Sequence, residues 1–150
     1  MEDKLKDFLL EQDYIRVKLK LTKTNHFEIK ASINGVKGLF ILDTGASSSC
    51  VGFEATEKFQ LRKVKDSEIL AAGAGAIDMA TQISKKNKLK IGRLKIDKVP
   101  LVLFDLSHVN MALTNHKSQP VDGIIGADIL KKLKAIIDYN KKYLYLKKFQ

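Results

Sequence analysis

The chain has no tryptophan, two prolines and a single cysteine among its 150 residues. A lone cysteine, Cys50, cannot close an intramolecular disulfide. Three scattered histidines, His26, His108 and His116, give no cluster spaced to hold a metal. These shortages point to a reducing, cytoplasmic setting without structural zinc or another cofactor. Long apolar runs are also missing: no stretch approaches the ~18 residues of a membrane span. The first 15 residues mix Glu2, Asp3, Asp7, Glu11 and Asp13 with lysines and offer no signal-peptide core. Arginine is scarce as well. The net charge is +10, yet Arg16, Arg62 and Arg93 are the only arginines among 27 cationic residues. Bidentate readout of phosphates or bases leans on arginine. Lysines dispersed from Lys4 to Lys148 therefore read as solvated strand faces, and specific nucleic-acid binding is not expected.

What is present is a composition for one folded domain. With 45% hydrophobic and 29% charged residues, seven phenylalanines and four tyrosines, the chain can bury a real core. Leu5, Phe8 and Leu9 have helical spacing and predict a short amphipathic helix over residues 3–12. The period switches to two from Arg16. Val17, Leu19 and Leu21, then Phe27, Ile29, Ala31 and Ile33, alternate with polar residues as half-buried antiparallel strands do. Asn34-Gly35 is a two-residue hairpin signal, because both residues tolerate positive φ. Residues 52–61 predict a short helix with Phe53, Phe59 and Leu61 inward. Residues 64–72, 77–84, 88–91, 94–96 and 101–104 read as further short strands. Ser107 is placed to cap a helical turn through Leu113, and residues 127–133 have helical spacing. Residues 135–138 and 143–146 read as a hairpin turning at Asn140. Many short strands with glycine-rich turns and one or two brief helices define an all-β, barrel-like or sandwich-like domain.

The segment that carries chemistry is Leu39-Phe40-Ile41-Leu42-Asp43-Thr44-Gly45-Ala46-Ser47. A carboxylate directly after four large apolar residues sits at the edge of a core, and Thr-Gly suits a tight turn that lets backbone or substrate come close. By itself this is equally an Asx turn at a strand end. A second segment, Val121-Asp122-Gly123-Ile124-Ile125-Gly126-Ala127-Asp128-Ile129-Leu130, describes a buried strand from which a helix leaves at once.

Together these segments resemble the retroviral-type, retropepsin-like aspartic proteases of the pepsin superfamily. In that family an apolar run precedes Asp-Thr-Gly-Ala-Ser, and a later apolar-apolar-Gly strand, here Ile124, Ile125 and Gly126, crosses behind the catalytic loop. The Gly-x-Asp-x-Leu continuation and the later Ile137-Asp138 are similar to the cellular DNA-damage-inducible and bacterial members more than to the viral ones. The resemblance runs over residues 15–147. It implies a closed or partly open β-barrel forming one protease lobe per chain, with residues 1–14 as a helical extension and 15–150 as the protease domain. It also implies Asp43 as the catalytic group, supported by Thr44, Gly45, Ala46 and Ser47. The small residues Ala72, Gly73, Ala74 and Gly75 fall where the family has its flap.

The family's chemistry needs two aspartates facing one water, and this chain has one Asp-Thr-Gly. The second aspartate is therefore expected from another copy, in a C2 homodimer. The expected activity is hydrolysis of an extended peptide, with no metal, no membrane and no specific nucleic-acid partner. Substrate pockets are expected to be apolar, walled by Ile124, Ile125 and the flap alanines. Viral members have arginine where this chain has Ala127, so the interface must be built otherwise, with Ile136, Tyr143 and Tyr145 of the terminal hairpin as candidates unless that hairpin is an edge of the monomer's own sheet. Cys50 reads as a small buried hydrophobe. The competing readings are a retired protease fold acting as a peptide-binding or dimerisation module, and a basic nucleic-acid-binding barrel.

Overall fold

A computed structural model describes residues 3–62, 64–73 and 76–148, with side chains described outside 67–80. Helix α1 (Lys4–Glu11) is capped by Asp3, whose carboxylate accepts from the Lys6 amide at 3.0 Å. The strands are β1 (Tyr14–Lys18), β2 (Lys20–Leu21), β3 (Phe27–Ile33), β4 (Val36–Leu42), β5 (Cys50–Val51), β6 (Lys65–Gly73), β7 (Ala76–Ile91), β8 (Leu94–Leu103), β9 (Gly123–Ile125), β10 (Ile136–Asp138) and β11 (Tyr143–Lys147). Three more short helices are α2 (Ala55–Lys58), α3 (Ser107–Asn115) and α4 (Ala127–Lys132).

Six strands close a barrel. β3, β4, β9, β5, β8 and β7 are hydrogen-bonded in that order, and β3 pairs back onto β7 through Ser32↔Lys90 and Ile33↔Leu89. The Asn34-Gly35 turn takes positive φ at both residues, 51° and 85°, as a tight hairpin between right-twisted strands requires. β9 lies between β4 and β5, parallel to the first (Ile41↔Ile124) and antiparallel to the second (Cys50↔Ile124). A separate three-stranded sheet, β1-β11-β10, closes the base.

Two packed clusters hold this arrangement. The barrel interior is filled by Ile29, Ile33, Phe40, Leu42, Val51, Phe59, Leu89, Ile91, Leu103 and Ile125, with Leu144 and Leu146 from the terminal sheet. The Phe40 and Phe59 rings stack with centroids 6.2 Å apart. A second cluster lies under α3 on the barrel's outer face, made of Ile41, Cys50, Phe104, Leu106, Leu113, Val121 and Ile124.

The structure departs from several sequence expectations. Segments 77–84 and 88–91 are one strand, β7, and 94–96 and 101–103 lie within one strand, β8, which ends one residue before Phe104. Irregularities in the β7–β8 register between Ser84 and Leu89 absorb the breaks. Pro100 is tolerated within β8 opposite this irregular region, where a missing N–H costs no ladder bond. Helix α2 is shorter than expected, and Phe53 points out, 39% exposed, while Phe59 is fully buried. Ser107 is the first helical residue of α3 rather than its cap. The Asp105 carboxylate accepts from both its amide and its hydroxyl, which holds that carboxyl below the usual range.

Candidate active site

Leu42 ends β4, and Asp43 is the first residue past the barrel wall. Its amide donates to the Ile125 carbonyl of β9 at 3.0 Å, so the ladder extends to the aspartate itself. The chain then turns sharply: Gly45 N donates to Asp43 Oδ1 at 2.9 Å and Ala46 N to the Asp43 carbonyl at 3.2 Å. Asp43 and Ala46 are half-buried, whereas Thr44, Gly45 and Ser47 are exposed. A carboxylate is thus held at the mouth of a rigid core on a turn open to whatever approaches.

The second motif clamps this loop from behind. Ala127 N, at the start of α4, donates to the Ala46 carbonyl at 2.7 Å. A Cβ on Gly126 would lie 2.5 Å from that same carbonyl oxygen, so the approach of strand to loop requires glycine. Ser49, buried just past the loop, donates through its hydroxyl to Asp128 Oδ1 at 2.7 Å and through its amide to the same oxygen at 3.0 Å. Its Oγ also accepts from Gly126 N at 2.8 Å. Ser49 and Asp128 therefore latch the Asp43 loop to the head of α4. The sequence reading gave neither residue a role. The signals were a third serine, after Ser47-Ser48, entering a buried strand, and an acid in the first turn of a helix whose cap, Gly126, has no side chain.

Asp122 is structural. Its Oδ2 accepts from Leu39 N at 2.9 Å and its Oδ1 from Lys58 Nζ at 2.8 Å, tying β4 to α2. Cys50 is buried next to Ile124, and burial pushes its thiol up to about 12. Ile124 and Ile125 are 3% and 2% exposed, packed under α3 and inside the barrel respectively, so they cannot wall a substrate pocket. That expectation is corrected: the β9 side chains stabilise the floor, and the apolar surface open beside the loop is elsewhere. Thr44, Ala127, Leu130, Lys131, Lys134, Ala135 and Ile137 line a shallow depression of about 420 Å³.

β6 and β7 form a hairpin paired from Lys65↔Ile83 to Gly73↔Ala76. Ala72 and Gly73 are the last residues of β6, and Ala74 and Gly75 lie outside the described residues. The terminal hairpin belongs to the chain's own three-stranded sheet, with β11 central. Tyr145 is completely buried within the protomer, which removes it as a free interface residue. Ile136 is exposed, and Tyr143 carries the Arg16 guanidinium 4.0 Å above its ring. Among the described residues, no three His, Cys, Asp or Glu side chains come together to hold a metal, and no helix is long and apolar enough to cross a membrane.

A six-stranded barrel whose Asp-Thr-Gly turn is crossed from behind by an Ile-Ile-Gly strand defines the retropepsin-like class of aspartic protease folds. The comparisons agree. The aspartyl protease family model matches residues 29–129, and the chain belongs to that family. The Gag-Pol polyprotein of walleye dermal sarcoma virus is 30% identical over 118 residues, which are 79% of this chain and 6% of the polyprotein. Three solved structures share the fold. A retropepsin-like aspartic protease from Rickettsia conorii has a TM-score of 0.57 at 22% identity, covering 89% of each chain. The EIAV protease in complex with an inhibitor has a TM-score of 0.56 at 20% identity, covering 74% of this chain and 90% of its own. The retroviral protease-like domain of Ddi1 from Leishmania major has a TM-score of 0.56 at 18% identity, covering 85% and 90%.

Proposed function

We propose that the protein is a homodimeric aspartic endopeptidase in which Asp43 of each of two copies activates one water against an extended peptide. The observation that carries this reading is the clamped presentation of a single Asp-Thr-Gly turn, with the Asp43 carboxylate fixed by Gly45 N and the Thr44 and Gly45 surface open. Half a dyad is useless for this chemistry, and a two-fold axis beside the loop supplies the other half. Two carboxyls so placed share one proton between them. One draws a proton from water as the other hydrogen-bonds the scissile carbonyl; the roles then exchange as the leaving nitrogen is protonated. The apolar depression that begins at Thr44 supports a contact with the second copy, and in this reading the β6–β7 hairpin serves as a flap over the substrate, through Ala72 and Gly73 and the Ala74-Gly75 that follow them in sequence. Residues 15–150 form the protease domain in this reading and α1 is an extension packed on it. The single free, buried cysteine fits work in the cytoplasm.

Cleavage of a diverse peptide library, read by mass spectrometry, tests the assignment. Wild type is expected to cut and Asp43→Asn to lose at least about 10²–10⁴-fold in rate, the contribution typical of a positioned acid–base group. Equal cleavage by both proteins would refute it.

A further inference from the structure

Lysines far apart in sequence meet on one outer face of the barrel. Lys37 of β4 is directly opposite Ser32 of β3, Ser32 is opposite Lys90 of β7, and Lys90 is opposite Lys95 of β8. Residues in register project from the same side of a sheet, so Lys37, Lys90 and Lys95 form one row, about 14 Å long across three strand spacings. Lys30 in β3 and Lys88 in β7, each two residues from the row, flank it on opposite sides and on the same face. All five are exposed, while the intervening Ile33, Leu89 and Ile96 fill the core. The ion pairs among the described residues, Asp3 with Arg16 and Lys141 and Asp122 with Lys58, involve none of them. Asp97, two residues past Lys95, is an exposed acid on this side of β8 and is not ion-paired to them. Like charges directly opposite, as Lys90 and Lys95 are, destabilise a strand pair, so the bare fold leaves a net positive field here, with Glu28, two residues before Lys30 on the same face, set opposite Lys20 of β2.

We propose that this face binds the phosphate backbone of a nucleic-acid duplex without sequence preference. Lysine ammoniums are point charges that hold phosphates, and the scarcity of arginine forks leaves base readout unserved. Among the residues whose side chains are described, none of the exposed large hydrophobics lies on β3, β4, β7 or β8. Among the described residues the face therefore has no aromatic platform for stacking single-stranded bases and no apolar wedge for entering lipid. Lys37 is six residues before Asp43 along β4, about 20 Å at strand rise. A bound duplex would thus leave the Asp43 turn clear and bring the protein to nucleoprotein surroundings. The proposal does not depend on the protease reading.

The test is fluorescence anisotropy of a labelled duplex of about 20 base pairs, as DNA and as RNA, titrated with the full chain from about 50 to 200 mM salt. Five phosphate contacts predict a log–log salt slope near −4 to −5. The triple variant Lys37→Glu, Lys90→Glu, Lys95→Glu is expected to lose about three units of that slope and at least about tenfold in affinity at the lowest salt. Lys4→Glu, Lys117→Glu and Lys148→Glu together make the same charge change at exposed positions away from the face and are expected to keep the slope. A Lys→Gln triple at 37, 90 and 95, with melting followed by circular dichroism, decides the matter if the Glu triple does not fold. Three results would each overturn the proposal: equal losses in both triples, which assigns the attraction to overall charge; no duplex binding at the lowest salt; or tighter binding to phosphatidylserine-containing vesicles than to duplex through the same lysines.

Discussion

Two rows of side chains cross the outside of the same barrel, and they meet opposite fates. Near the Asp43 turn, Ile41, Ile124, Cys50 and Val102 stand in register across β4, β9, β5 and β8, and Leu106, just before α3, and Leu113 within it seal them. At the far end, Lys37, Ser32, Lys90 and Lys95 stand in register across β4, β3, β7 and β8, and nothing covers them among the described residues. The sealed row makes the strands behind the aspartate apolar on both faces, so the turn is held by a two-sided core. The open row has a core on one face only, which suffices for the strands but leaves their outer charge to solvent or a ligand. Rigidity is concentrated where the carboxylate must be aimed.

Breaking the sealed row should cost most. Ile41→Ala is expected to lower stability by about 2–5 kcal/mol through the cavity left under α3, measured by urea denaturation. Ser49→Ala comes next: it strips partners from Asp128 Oδ1 and Gly126 N in a buried setting, for about 1–3 kcal/mol. If the latch positions the Asp43 turn, peptide cleavage by that variant falls further than its stability at the assay temperature explains, and Ser49→Thr, which keeps the hydroxyl, recovers part of it. Cys50 sharpens the comparison by pH. Its folded-state thiol is raised to about 12 from 9.0, so the folded protein holds that proton over a window in which the unfolded chain has lost it. Stability from this site is fully present below pH 9 and falls as pH rises toward 12, by about 1.4 kcal/mol per unit. Denaturation midpoints at pH 8 and pH 10 check this. At pH 8 a thiol reagent should label the unfolded chain and spare the folded one. The smallest effect belongs to the open row: Lys95→Glu sets opposite charges across β7 and β8 and should raise stability by about 0.2–1 kcal/mol, a gain lost near 1 M salt. A loss of several kcal/mol there would mean that the lysine row is built into the fold and not merely on it.

The elements nearest the site were the most legible in sequence. Asn34-Gly35 fixes a hairpin by its own φ preferences, and Phe40–Leu42 and Ile124–Gly126 announce buried strands by unbroken apolar runs. Features that depend on pairing between distant segments were not legible. Ser49 meets Asp128 across 79 residues, and only the β9 crossing brings them together. The β7–β8 irregularity let two apparent breaks lie within continuous strands, because a bulge leaves the hydrogen-bonded ladder intact on either side. The lysines looked dispersed because a sequence carries spacing along a strand and not the register between strands. Phe53 and Phe59 had the same helical signal, yet α2 is too short for both to face the core.

The central claim is that one site needs Asp43 from two chains. The most direct measurement is peptide cleavage by wild type mixed with equal Asp43→Asn, after exchange of subunits and at fixed total protein. Random pairing leaves about one quarter of the dimers with two intact aspartates, so activity is predicted to fall to about a quarter of that of undiluted wild type. A fall to about one half would mean that each chain acts alone, and would contradict the account.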